Sequence, residues 1–174
     1  DVRNVGIELG DGRFVPTPAT EVLARGYGDC KDKVATLAAL LDCLDIACEP
    51  VLVGVRPDLP PEKDFPYSGR FDHLLAYLPD VDGGVFCDPT LGGACLTSLS
   101  GDVFGVTGLR IERDGDGHLM ELPERSLATP LIDLEVDLHP EPGGHLRAEV
   151  VAQVRGDMAA DVQPALDRPD TSMR

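Results

Sequence analysis

The first strong periodicity in this chain is helical, and a turn and a cap precede it. Val34, Leu37, Ala38, Leu41 and Leu44 recur at i, i+3, i+4, i+7 and i+10. That spacing puts them on one apolar face and predicts a helix from about Cys30 to Leu44. Asp29 stands where an N-cap accepts from orphan backbone N–H groups, and Gly28 lets the chain turn sharply into the helix. A helix with one apolar stripe must bury it against another layer, and the residues that follow supply strands. Val51–Val55 is a short apolar run of buried-strand type. Phe71–Leu78 alternates, with Phe71, His73, Leu75 and Tyr77 on one face. Val85–Asp88 resumes after Pro79-Asp80-Val81-Asp82-Gly83-Gly84, which predicts an antiparallel hairpin. The expected class is α+β, a Cys-bearing helix packed on an antiparallel sheet.

The flanking segments are read more coarsely. Residues 1–20 form an extended lead-in rich in Gly and Pro, with a short strand at Val5–Leu9 and a turn at Gly10-Asp11-Gly12. Residues 56–70 form a loop carrying Pro57, Pro60, Pro61 and Pro66, and it enters just before His73. That position lets it wall a site built around His73. Leu109–Glu112 and His118–Leu122 flank Asp114-Gly115-Asp116-Gly117, a second hairpin signal. Leu131–Leu138 and His145–Arg155 alternate around Pro140–Gly144, a third, and a short helix at Met158–Leu166 is interrupted by Pro164. These patterns divide the chain into a core over 1–106 and a β-rich segment over 107–174, the start of a following domain. The first residue is Asp1, and no charged-then-apolar leader follows it. The chain therefore reads as a processed chain or an excised piece. A signal in a longer protein would place it in the periplasm or cell envelope.

Charge excludes some partners. The chain carries 15 Lys plus Arg against 31 Asp plus Glu, a net charge of −16, and each of the stretches 1–100 and 101–174 carries −8. An evenly acidic surface repels phosphate backbones and anionic lipid, which argues against nucleic acid and membrane surfaces as partners. No run approaches about 18 consecutive apolar residues, so no membrane insertion is expected. Oligomeric state is not readable. The five cysteines are an odd number, which leaves at least one unpaired in a monomer.

The chemistry concentrates at three residues. Cys30 opens the helix, where orphan N–H groups and the macrodipole favour a thiolate. It lies in Gly28-Asp29-Cys30-Lys31-Asp32-Lys33, too charged a stretch for a fully buried site. Cys43, Cys48, Cys87 and Cys95 fit the ordinary role of small buried hydrophobes. If Pro79–Asp82 is a four-residue loop, Leu78 pairs with Gly83, and His73 then lies directly opposite Asp88. A loop centred on Asp82-Gly83 would separate them. A carboxylate on one ring nitrogen leaves the other free to take a thiol proton. Nucleophile, base and orienting acid are the parts of covalent acyl transfer. A core histidine satisfied by a neighbouring acid remains open on the residues alone. Zinc is disfavoured, because only three ligands converge and no CxxC or HxxxH pair occurs. Asp114-Gly115-Asp116-Gly117 lacks the spaced acids and terminal Glu of an EF-hand. His118, His139 and His145 fall at turns.

Three motifs in order carry a resemblance: Tyr27-Gly28-Asp29-Cys30-Lys31-Asp32-Lys33, then Phe71-Asp72-His73, then Asp88-Pro89-Thr90. Together they resemble the bacterial transglutaminase-like superfamily, in which a Cys-His-Asp triad sits on a papain-like fold. The lead-in Val5-Gly6-Ile7-Glu8 is similar to the subgroup whose core is flanked by β-rich domains. The resemblance covers about residues 1–100. It implies Cys30 as nucleophile, His73 as general base and Asp88 as orienting carboxylate. The Cys30 N–H serves as one oxyanion donor, with Tyr27 as the candidate for a second. It implies no cofactor and no metal, and a protein or peptide substrate. The chain departs from the family pattern in having no Trp; Phe86 and Cys87 precede Asp88. The implied activity is that of a cysteine peptidase, an amidase or a transglutaminase. The competing expectation is a catalytically silent module that binds a peptide or cell-envelope partner.

Overall fold

The computed structural model describes residues 2–6, 14–55, 68–91, 96–125 and 132–155. The molecule is mixed helix and sheet. Helix α1 spans Ala19–Arg25 and ends where Gly26 takes a left-handed φ of 71° and returns its N–H to the Val22 carbonyl. Strands β1 (Arg3–Asn4) and β2 (Tyr27–Gly28) form a two-residue parallel pair. Val5 donates to the Gly28 carbonyl, but of the strand expected at Val5–Leu9, Val5 and Gly6 lie past the end of β1 and residues 7–9 fall outside the described residues.

Helix α2 runs Cys30–Asp42, with the Asp29 carboxylate accepting from the Asp32 N–H at 3.1 Å. It stops two residues short of the expected Leu44, because the chain reverses at Asp45, whose φ of 57° is left-handed. Leu44 is consequently exposed rather than part of the stripe.

Strands β3 (Glu49–Val53), β4 (His73–Leu78), β5 (Val85–Cys87), β6 (Thr107–Ile111) and β7 (Gly117–Glu121) form one antiparallel sheet in the order β5-β4-β3-β6-β7. β3 begins two residues before the expected run and takes in Pro50. β6 pairs only with Val51 and Leu52, so the missing Pro50 N–H breaks no bond in that ladder. The boundary expected at 106/107 falls inside this sheet, because β6 pairs with β3. Local hairpin signals place β6 beside β7 but are blind to the long-range pairing.

Both faces of the sheet are covered. On one, Val34, Leu37, Ala38 and Leu41 of α2 pack against Leu74, Ala76, Leu78, Cys48 and Cys87. On the other, Val51, Val53 and Leu75 pack with Leu99, Val103 and Leu122. Val51, Val53, Leu75 and Val103 are fully buried, each such side chain being worth about 1.5–3 kcal/mol. Two covered faces hold β3 and β4 rigidly, and β4 begins at His73.

A separate hairpin, β8 (Ile132–Pro140) and β9 (Leu146–Val154), pairs Ile132 with Val154 through to Pro140 with Leu146. Its turn uses Gly143 and Gly144 at φ 88° and 81°. The expected helix at 158–166 lies outside the described residues, as does most of the loop 56–70. No helix among the described residues is long and apolar enough to cross a membrane.

Candidate active site

Cys30 is the first residue of α2 and is half-buried. Its placement follows from the turn before it. A Cβ on Gly28 would sit 2.7 Å from the Asp32 Cβ, so only glycine lets β2 run this close to the first turn of α2. Cys30 is not fully buried, as the charge around it predicts, but the acids that flank it do not face solvent. Asp29 and Asp32 are both buried. Each is satisfied: Asp29 caps the helix and holds the Lys31 ammonium, and Asp32 binds Arg25 and the Thr17 N–H.

His73 and Asp88 meet directly, with Nε2 2.9 Å from Oδ2. The register that joins them is not the expected one. Leu78 pairs with Val85, not Gly83, and Ala76 pairs with Cys87. Continued one step, that ladder puts Asp88 opposite Leu75, two residues from His73. The loop is longer because Gly84 lies under Tyr77, where a Cβ would come 2.1 Å from the hydroxyl oxygen. Gly84 also has a φ of 106°, so it belongs to the turn and pairing begins at Val85. A slip of two residues preserves the face, and the imidazole spans the diagonal.

Thr90 secures the other carboxylate oxygen. Its N–H donates to Oδ1 of Asp88 at 2.9 Å and its hydroxyl at 2.6 Å. Thr90 closes the Asp88-Pro89-Thr90 motif, and the Asx-type turn after Asp88 is the signal that gives it this role. Burial opposes ionisation of Asp88, but the bonds from His73 and Thr90 outweigh it and hold the carboxyl below its usual value. Burial likewise pulls the His73 imidazole down. The hydrogen bonds to Asp88 and to Cys30, with the attraction of both groups, overcome this and raise it from 6.5 to about 10. Asp88 occupies Nε2, so Nδ1 is the ring nitrogen left for the Cys30 thiol.

The structure therefore brings Cys30, His73 and Asp88 together. Tyr27 sits three residues before Cys30, about one-third exposed, with the Arg25 guanidinium over its ring. Nothing places its hydroxyl on the site. Lys33 lies one turn beyond Cys30, half-buried, where desolvation lowers its ammonium and attraction to Asp88 partly restores it. A cleft of about 210 Å³ opens beside the imidazole and carboxylate, walled by Val55, Leu91, Ser100 and Asp102. Asp72 also lines it, and its carboxylate accepts the Val55 N–H at 2.8 Å. Among the described residues no cluster of three or more His, Cys, Asp or Glu is arranged to hold a metal ion.

Two contributors are invisible to motif reading. Arg25 and Thr17 tie the segment before Cys30 to Asp32, and only the folded chain shows that they meet. Comparison of the chain with protein-family models, with curated proteins and with solved structures finds no match.

Proposed function

We propose that this chain is a thiol-dependent acyl-transfer enzyme acting on amide bonds, with a transglutaminase-like, papain-like core. The observation that carries the reading is the Nε2–Oδ2 bond of 2.9 Å between His73 and a buried Asp88, with Cys30 at a helix start as the other partner of the imidazole. Buried histidines are commonly satisfied by one acid; a thiol on the second nitrogen is what acyl transfer requires.

In this reading His73 is an imidazolium at neutral pH, since it is held at about 10. The Cys30 sulfur attacks the amide carbonyl carbon. The C–S bond forms and the carbonyl π pair moves to oxygen, stabilised by the Cys30 N–H. Collapse breaks the C–N bond, and the leaving amine takes the His73 proton. Water or a second amine then attacks the thioester, gives a proton back to His73 and releases the Cys30 sulfur. Water yields a peptidase or amidase, and a lysine amine a transglutaminase. Asp88 holds the ring orientation and its charge throughout.

A peptidyl aldehyde labelled with ¹³C at the carbonyl tests this. Wild type is expected to give the hemithioacetal carbon signal by NMR, and Cys30→Ala to give none. A hemithioacetal or acyl adduct that survives Cys30→Ala overturns the assignment. A wild type that forms no adduct with a panel of peptidyl aldehydes favours the silent binding module.

A further inference from the structure

Arg25, the last residue of α1, joins the parts of the chain that lead into Cys30. Its Nε donates to the Tyr27 carbonyl at 2.8 Å. One terminal nitrogen donates to Asp32 Oδ2 at 2.6 Å and to the Thr17 hydroxyl at 3.3 Å. Its guanidinium carbon lies 4.6 Å from the centre of the Tyr27 ring. The Asp32 side chain is 1% exposed, and its other oxygen accepts the Thr17 N–H at 2.7 Å. A carboxylate this buried needs a charged or strongly donating partner. A planar fork can serve it while also reaching a carbonyl and lying on an aromatic face, which an ammonium cannot do.

These contacts grip the chain on both sides of the nucleophile, at Tyr27 and at Asp32. We infer that Arg25 is a positioning residue for the Cys30 site, acting through Tyr27 and Asp32 to hold the first turn of α2 in one orientation. The inference rests on the acyl-transfer reading. It deepens that reading by naming what aligns the Cys30 N–H with the oxygen of the bound carbonyl. Alkylation of Cys30 by iodoacetamide needs only the sulfur. Hemithioacetal formation needs the sulfur and the N–H groups that receive the oxyanion. Arg25 should therefore matter to the second and not to the first.

The test uses the full chain with Arg25→Lys, Tyr27→Ala and the double variant. The readouts are the aldehyde inhibition constant, the iodoacetamide rate at Cys30 and the melting temperature. Arg25→Lys keeps a charge for Asp32 but loses the fork and the flat face. Both single variants are expected to weaken aldehyde binding about 10- to 100-fold, the scale of a small misalignment at a reacting centre. Alkylation should stay within about twofold of wild type, and the double variant should be no weaker than the worse single one. Tyr27→Ala, which leaves the Asp32 pair untouched, keeps the test open should Arg25→Lys fold poorly. The inference is overturned by unchanged aldehyde binding in both single variants, by losses that multiply in full, or by alkylation falling in step with aldehyde binding. A wild type that is trapped while both single variants behave like it removes this inference alone. A wild type that is never trapped removes the acyl-transfer reading and this inference with it.

Discussion

Asp88→Asn offers a quantitative test of the site, because the side chain is nearly isosteric and the native partners are all known. The asparagine carbonyl oxygen can accept both Thr90 bonds, and its amide can donate to a neutral His73, so the variant should fold. What it lacks is the negative charge. Raising the imidazole from 6.5 to about 10 corresponds to a preference for the protonated form on the order of 5 kcal/mol. Asp88 supplies the first of the favourable bonds and Cys30 the second. Losing the carboxylate charge should cost His73 roughly a hundredfold in proton affinity, or about 3 kcal/mol of that preference. The stability difference has a defined sign. A histidine with a raised native pKa contributes fully below its unfolded value of 6.5, and that contribution disappears as the pH rises through about 10. Asp88, held low, contributes fully above its ordinary value of 3.8 and loses its contribution as the pH falls through the lower native value. Wild type should therefore exceed Asp88→Asn most between about pH 4 and 6.5, and the two should converge toward pH 10. Urea unfolding across that range measures the difference. NMR titration of the imidazole carbons measures the proton affinity directly, since the chain has 4 histidines and the other three are exposed. A gap that widens from pH 7 to 10, or a wild-type His73 that titrates at or below 6.5, refutes the ion-pair reasoning.

Two further outcomes follow from single positions. Iodoacetamide near neutral pH should modify Cys30 well before Cys43, which is exposed, and before the buried Cys48 and Cys87, whose thiols burial pushes up, Cys48 to about 11; peptide mapping reads the order, and labelling of Cys30 no faster than Cys43 contradicts an activated sulfur. Gly28→Ala should destabilise the chain by about 1–3 kcal/mol, because the new Cβ meets Asp32 Cβ at 2.7 Å and Asp32 is held by Arg25 and Thr17; a melting temperature equal to or above wild type would show that this turn can relax.

The β8–β9 hairpin shows how far a local pattern can be read. The alternation around Pro140–Gly144 breaks at Val150-Val151-Ala152, and the observed pairs otherwise follow it: Leu134 faces Ala152, Val136 faces Val150 and Leu138 faces Ala148 on one side. Asp133, Glu135, Asp137 and His139 face Gln153, Val151, Glu149 and Arg147 on the other. The same logic places α2 and its cap, since helix period, capping and strand alternation all depend on residues within one or two turns. Helix α1 was not legible, because its seven residues complete too few turns for a stripe to register. The parallel pair of β1 and β2 was equally hidden, with two residues on each strand.

Residue order alone thus determined the capped helix α2 and the hairpin that follows it, that Cys30 opens that helix, and that His73 and Asp88 share a face of the hairpin. Those properties are periodic, and a period survives a register error of two. Tertiary structure decided what depends on contact. Gly84 under Tyr77 lengthened the hairpin loop and moved Asp88 opposite Leu75. β6 crossed the expected domain boundary to pair with β3. Asp32, one of the charges around Cys30, became the buried anchor for Arg25 and Thr17. Each of these outcomes turns on which distant group occupies a particular few ångströms, and that is settled only when the chain closes on itself.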